Sequence, residues 1–107
     1  MGPAPNTVKF CDILVGGGNM IELLDFYADW CGPCVVMKPV IEELEKEMTG
    51  QVKISEIDVD QDQETVSRYG VMSIPTYIIL KDGTEQDRII GATSKENLAS
   101  KIKTLVS

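Results

Sequence analysis

The chain contains no histidine. That absence removes histidine general bases, Cys–His nucleophile pairs and the commonest transition-metal ligand. Long apolar runs are also missing: none approaches the roughly 18 residues expected of a membrane-spanning helix. Residues 1–10 lack the basic stretch and apolar segment of a secretory leader, so no export signal is expected. Positive charge is scarce, with 10 Lys and Arg against 17 Asp and Glu and a net charge of −7. A nucleic-acid binder needs a basic footprint, so that class is disfavoured. The excess acidity reads as solubility rather than as the choice of a partner. Trp30 is the single tryptophan, and no repeat or low-complexity block interrupts the chain.

What is present fits one domain over residues 1–107, with 43% hydrophobic residues. A domain of this size folds without disulfide staples. Residues 1–6, with Gly2, Pro3, Ala4 and Pro5, read as a flexible lead-in. There are three cysteines, an odd count. Without an export signal they fit a reducing compartment, and a cytoplasmic location is expected. In that setting a C-x-x-C pair points to redox or metal chemistry rather than to a structural staple.

Hydrophobic periodicity predicts the elements. Residues 8–13 and 20–28 read as strands, separated by the breaker Gly16-Gly17-Gly18-Asn19. From Cys34 to Met48, Met37, Val40, Ile41, Leu44 and Met48 recur at helical spacing, with Pro39 inside the helix and Gly50 after it. Residues 52–59 form a further strand, and residues 63–69 a short helix closed by Gly70. Residues 76–80 and 84–90 form a hairpin around Asp82-Gly83. Thr93-Ser94-Lys95-Glu96 fits a capping box ahead of a last helix whose apolar side is Leu98, Ile102 and Leu105. The order β, β, α, β, α, β, β, α predicts a mixed sheet with helices on both faces.

Trp30-Cys31-Gly32-Pro33-Cys34 lies between the second strand and the first long helix. The thiolate is the species that attacks a disulfide, so one cysteine of a working pair must ionise near neutral pH. Cys31 sits just ahead of a helix, where unpaired N–H groups and the helix dipole favour negative charge. Pro33 suits the first helical turn and stiffens it. Cys34, further along the helix, is expected to be the more buried. Cys31 would then attack a partner's disulfide, and Cys34 would resolve the mixed disulfide by attacking Cys31. Zinc is the competing reading. A structural zinc site wants four Cys or His ligands, whereas this chain offers one pair and Cys11. Chance spacing of two ordinary cysteines is the third reading.

The pentapeptide Trp30–Cys34 resembles the active-site sequence of the thioredoxin family. The likeness runs from about Ile21 to the C-terminus. It takes in Asp25-Phe26-Tyr27-Ala28, Pro39, Ile74-Pro75-Thr76, the Asp82-Gly83 turn and Gly91. The resemblance implies an α/β thioredoxin fold and a protein-disulfide reductase. It also implies a thioredoxin reductase as partner, drawing on NADPH, ferredoxin or a flavin, and diverse disulfide-containing clients. No cofactor is implied beyond the Cys31–Cys34 pair, and no metal.

Asp25 on its apolar strand reads, on sequence alone, as a partly solvated acid or a buried one. The resemblance implies a buried carboxylate beneath Cys34 that exchanges its proton. A Pro following Ile74 is ordinarily trans, whereas the resemblance implies a cis Ile74–Pro75 bond. It further implies a docking patch of Trp30, Gly32, Pro33, Ile74, Pro75 and Gly91 around Cys31. Core packing is the competing reading of Trp30, and a simple strand-to-helix turn that of Gly91.

Three departures stand out. The stretch from Val8 to Met20 is short and glycine-rich, so the family's first helix is truncated to a turn or absent. Glu56 stands where many members carry lysine, and it raises the carboxyl pKa of Asp25 if it faces it. Tyr27 stands where tryptophan is common. Cys11 reads as a small packing residue, with a regulatory or intermolecular thiol as the alternative. A monomer is expected. The alternatives to a reductase are a disulfide oxidase or isomerase of the same fold, or a non-catalytic adaptor subunit.

Overall fold

β1, Ile21–Tyr27, is the strand around which the rest assembles. It is apolar on both faces except at Glu22, near its start, and Asp25, as a strand covered on both sides requires. The computed structural model describes residues 20–106. The expected strand over residues 8–13, the glycine break with its truncated helix, Cys11 and the lead-in all lie outside the described residues.

β1 runs into α1, Gly32–Glu47, which returns the chain to β2, Val52–Asp58, parallel to β1. α2, Gln63–Tyr69, then leads to β3, Thr76–Lys81, and β4, Thr84–Ile90. α3, Lys95–Val106, closes the described chain. The sheet order is β2-β1-β3-β4, with β3 antiparallel to both β1 and β4. This is the mixed sheet expected from the sequence.

Helices cover both faces. Ile21, Leu23, Tyr77 and Ile79 meet Met37, Ile41 and Leu44 of α1 and Leu98 and Ile102 of α3. On the other face Leu24, Phe26, Ile78 and Leu80 pack with Val66 and Tyr69 of α2. The period of two along β1 and β3 therefore divides one apolar run between two cores.

The ends of the elements have local causes. Asp62 caps α2 by accepting the Thr65 N–H at 3.1 Å, and Gly70 ends it in the left-handed conformation at φ 63°. Asp82 and Gly83 both have positive φ, as a two-residue hairpin turn of matching twist needs. The capping expectation at α3 is off by one residue. Ser94, not Thr93, accepts the helical N–H, from Asn97 at 3.0 Å, while the Asn97 side chain reaches back to Thr93. The reach from a cap to its third following residue thus ends on Asn97 rather than on Glu96. α1 starts at Gly32, with Cys31 just ahead of it and Pro33 in its first turn, as expected.

Candidate functional site

The end of β1 and the start of α1 are joined by a tight turn. The Cys31 N–H donates to the Ala28 carbonyl at 3.1 Å, and the Cys31 carbonyl accepts the Val35 N–H at 3.1 Å. Cys31 is the N-cap of α1, with extended backbone at φ −89° and ψ 111°. Its Sγ accepts the Cys34 N–H at 3.2 Å. The sulfur thus takes the place an Asp or Ser oxygen holds at an ordinary cap. No acidic residue lies in the first turn of α1. The positive end of the helix is therefore not offset by a carboxylate on the helix itself, and it favours charge on Cys31.

Cys31 and Cys34 are joined as a disulfide, with Cα atoms 5.2 Å apart. Their exposure reverses the expectation. Cys31 is buried at 5%, and Cys34 is the more open of the two. Helical progression from the cap does carry Cys34 inward, but onto a cavity of about 200 Å³ rather than into packed core.

Asp25, Lys38 and Glu56 line the same cavity as Cys34. Asp25 comes from the middle of β1, on the side of the sheet that faces α1, and it is 8% exposed. Burial, reinforced by the charge of Glu56 and opposed by Lys38, pushes its carboxyl up to about 6. In the parallel pairing of β1 and β2, Asp25 stands directly beside Glu56. Glu56 therefore shares the cavity with Asp25. On its other flank Asp25 pairs with Tyr77, whose phenol is fully buried and pushed well above its ordinary value by that burial and by Asp25.

Trp30 is 70% exposed, so it is no core residue, and its Nε1–H donates to Asp60 Oδ2 at 2.8 Å. Trp30 and Ile74 line an apolar groove of about 330 Å³ with Val59, Val66 and Met72. Met72 is 96% exposed. The Ile74–Pro75 peptide is cis, and Pro75 is buried. The Pro75 carbonyl accepts the Gly91 N–H at 2.8 Å, with Gly91 at φ 99°. Gly32 and Pro33 are exposed at the start of α1.

Sequence reasoning missed Lys38, Tyr77, Asp60 and Met72. Lys38 was accessible in principle, one helical turn past Cys34 on the same side of α1. Asp60 and Tyr77 reach the site through non-local pairing, which no local pattern announces.

The sequence model of the thioredoxin family, described as Thioredoxin, matches residues 7–104. The chain belongs to the thioredoxin family. The thioredoxin of Bacillus subtilis (strain 168) is 53% identical over 78 residues, covering 73% of this chain and 75% of that protein. The thioredoxin of Staphylococcus aureus (strain N315) is 48% identical over 79 residues, covering 74% of this chain and 76% of that protein. Among solved structures, a mutant thioredoxin from Halobacterium salinarum NRC-1 superposes with a TM-score of 0.77 at 36% identity, covering 83% of this chain and 77% of that one. The Fasciola hepatica thioredoxin gives a TM-score of 0.74 at 38% identity, covering 80% and 81% of the two chains.

Membership in the thioredoxin family and the Cys31–Cys34 disulfide make the chain a thiol–disulfide oxidoreductase of the protein-disulfide reductase type. Among the described residues no helix is long and apolar enough to cross a membrane.

Proposed function

We propose that Cys31 and Cys34 carry the reaction in distinct roles, with Asp25 as the proton acceptor and donor for Cys34. Reduced Cys31 attacks one sulfur of a client disulfide as its thiolate, and the client's other sulfur leaves as a thiolate that takes up a proton. The Cys34 thiol then gives its proton to Asp25, directly or through a water. The Cys34 sulfur attacks Cys31, the bond from Cys31 to the client breaks, and the client departs with its second thiol. Two electrons and two protons pass to the client, and the Cys31–Cys34 disulfide is left.

The single observation that carries this assignment is the helix cap. Cys31 Sγ sits where the Cys34 N–H points at it, 3.2 Å away, with no competing carboxylate in the first turn. That environment stabilises a thiolate on Cys31. The cavity shared by Cys34 and Asp25 supports the proton role.

Trp30, Gly32, Pro33, Ile74, Pro75 and Gly91 form the client-docking surface in this reading. The exposure of Trp30 and the apolar groove it shares with Ile74 support burial as the source of affinity. In this reading the Ile74 backbone, next to the buried Pro75, pairs with an extended client segment. The partners are a thioredoxin reductase that restores the dithiol and diverse client proteins. The chain acts as a single-domain cytoplasmic monomer that carries electrons by its own sulfur pair.

The test is reduction of a disulfide-bonded test protein by the reduced chain. Wild type is expected to reduce it, and Cys31→Ser to abolish the reaction. Undiminished activity in Cys31→Ser contradicts the assignment, and activity as a disulfide donor only would favour an oxidase.

A further inference from the structure

The described methionines differ sharply in their access to water. Met37 and Met48 are buried in the core, and Met20, just ahead of β1, is 49% exposed. Met72 is 96% exposed, and it lines the same groove as Trp30 and Ile74. The loop that carries it is tied on both sides. The Tyr69 carbonyl accepts a bond from Arg88 Nη2 at 2.7 Å, and Glu85 grips Arg88 through both carboxylate oxygens at 2.8 and 3.0 Å. The Val71 N–H donates to the Val66 carbonyl at 3.1 Å, and the Thr76 hydroxyl donates to the Ser73 carbonyl at 2.7 Å. An anchored backbone therefore projects the Met72 thioether into solvent.

We propose that Met72 is an oxidation site: a hydroperoxide converts its thioether to the sulfoxide and so weakens client docking in the groove beside Trp30. This rests on the docking surface proposed above.

Met72 Sδ attacks the terminal oxygen of the hydroperoxide. The S–O bond forms as the O–O bond breaks, and the sulfur gives up two electrons that reduce the peroxide. The departing oxygen takes the proton from the transferred one and leaves as water or an alcohol. As a thioether, Met72 is a flexible apolar contact suited to varied clients. As a sulfoxide it carries a polar S–O group that a docked client must strip of water. The groove has little to offer that group in return. The Trp30 N–H is already given to Asp60, and apart from Ser73 the other lining side chains are apolar. Cys31 and Cys34 are unaltered, so the change falls on client binding and spares exchange with a small disulfide. Met20 lies at the opposite end of β1 from the cysteines, so its oxidation leaves docking alone.

The test treats the Cys11→Ser chain with hydrogen peroxide while the Cys31–Cys34 disulfide is closed. Peptide mapping by mass spectrometry should find Met72 oxidised ahead of Met20, with Met37 and Met48 slower still. Peroxide is then removed and dithiothreitol reopens the disulfide, leaving the sulfoxide in place. KM for a disulfide-bonded test protein should rise about fivefold, with kcat and the rate toward a small disulfide unchanged. Met72→Leu, measured against its own untreated baseline, should lose nothing to peroxide. Oxidation of Met20, Met37 or Met48 as fast as that of Met72 overturns the proposal. So does an unmoved KM in the Met72 sulfoxide, a matching loss toward the small disulfide, or an equal loss in Met72→Leu. A KM raised by Trp30→Ala but not by the sulfoxide leaves the docking surface standing without this switch. If neither change moves KM, both readings fall.

Discussion

The Cys34 amide donates to the sulfur of Cys31 at 3.2 Å, inside the first turn of the helix that the two residues open. That one contact makes the pair unequal. Cys31 receives the helix terminus, whereas Cys34 faces a cavity with a buried acid.

Replacement of Cys34 by serine should separate the two halves of the reaction. The Cys34→Ser chain is expected to attack client disulfides and then stall as a mixed disulfide at Cys31. Mass spectrometry after mixing with a disulfide-bonded test protein should show a covalent adduct that dithiothreitol releases. Adducts formed through residue 34 in Cys31→Ser, and none in Cys34→Ser, would reverse the assignment.

Asp25 should lower stability at neutral pH. Its folded pKa is raised from 3.8 to about 6, so between those values the folded chain binds the proton more tightly than the unfolded one. Stability contributed by the protonated form is full below about pH 4 and is lost as pH rises through 6. The difference is on the order of 3 kcal/mol. Asp25→Asn should therefore stabilise the protein at pH 7 by an amount of that order and flatten the dependence between pH 4 and 7. Urea unfolding at several pH values reads this directly. A variant less stable than wild type at pH 7 contradicts the burial argument.

Trp30 should matter to clients more than to the fold. Exposed at 70% and tethered to Asp60, it offers a large apolar face at little ordering cost. Trp30→Ala is expected to lower kcat/KM for protein disulfides about tenfold, with a nearly unchanged melting temperature. An equal loss toward a small disulfide would place the effect on the chemistry instead.

Gly91 holds a backbone conformation closed to most residues, at φ 99°, while its N–H satisfies the Pro75 carbonyl. Space is not the obstacle, since a Cβ at this position would meet nothing within 4 Å. Gly91→Ala should cost about 1–2 kcal/mol through backbone strain alone. Unaltered denaturant midpoints would show that the segment relaxes freely.

Much of this architecture is written in local signals. α2 and β4 have the bounds the sequence places, because Asp62 opens and Gly70 closes the helix and the Asp82-Gly83 turn opens the strand. The helix over the cysteines is equally legible from the period of Met37, Ile41 and Leu44. Legibility fades where the cause is non-local. The pairing of Asp25 with Glu56 and Tyr77 depends on strand register, and the bond from Trp30 to Asp60 spans thirty residues. The order of burial within the cysteine pair escapes a sequence reading for a related reason. Depth along a helix says how far a side chain has turned inward, not whether the space it meets is filled. At Cys34 that space is a cavity bounded by β1, β2 and α1 together.

The most direct measurement is the reduction potential of the Cys31–Cys34 pair. Trp30, the single tryptophan and the neighbour of Cys31, reports it by fluorescence in graded redox buffers, with Cys11→Ser removing the third thiol. A value near about −270 mV is expected, low enough for the dithiol to pass electrons to most client disulfides. A value between about −180 and −120 mV would mark a donor of disulfides and would contradict the reductase assignment.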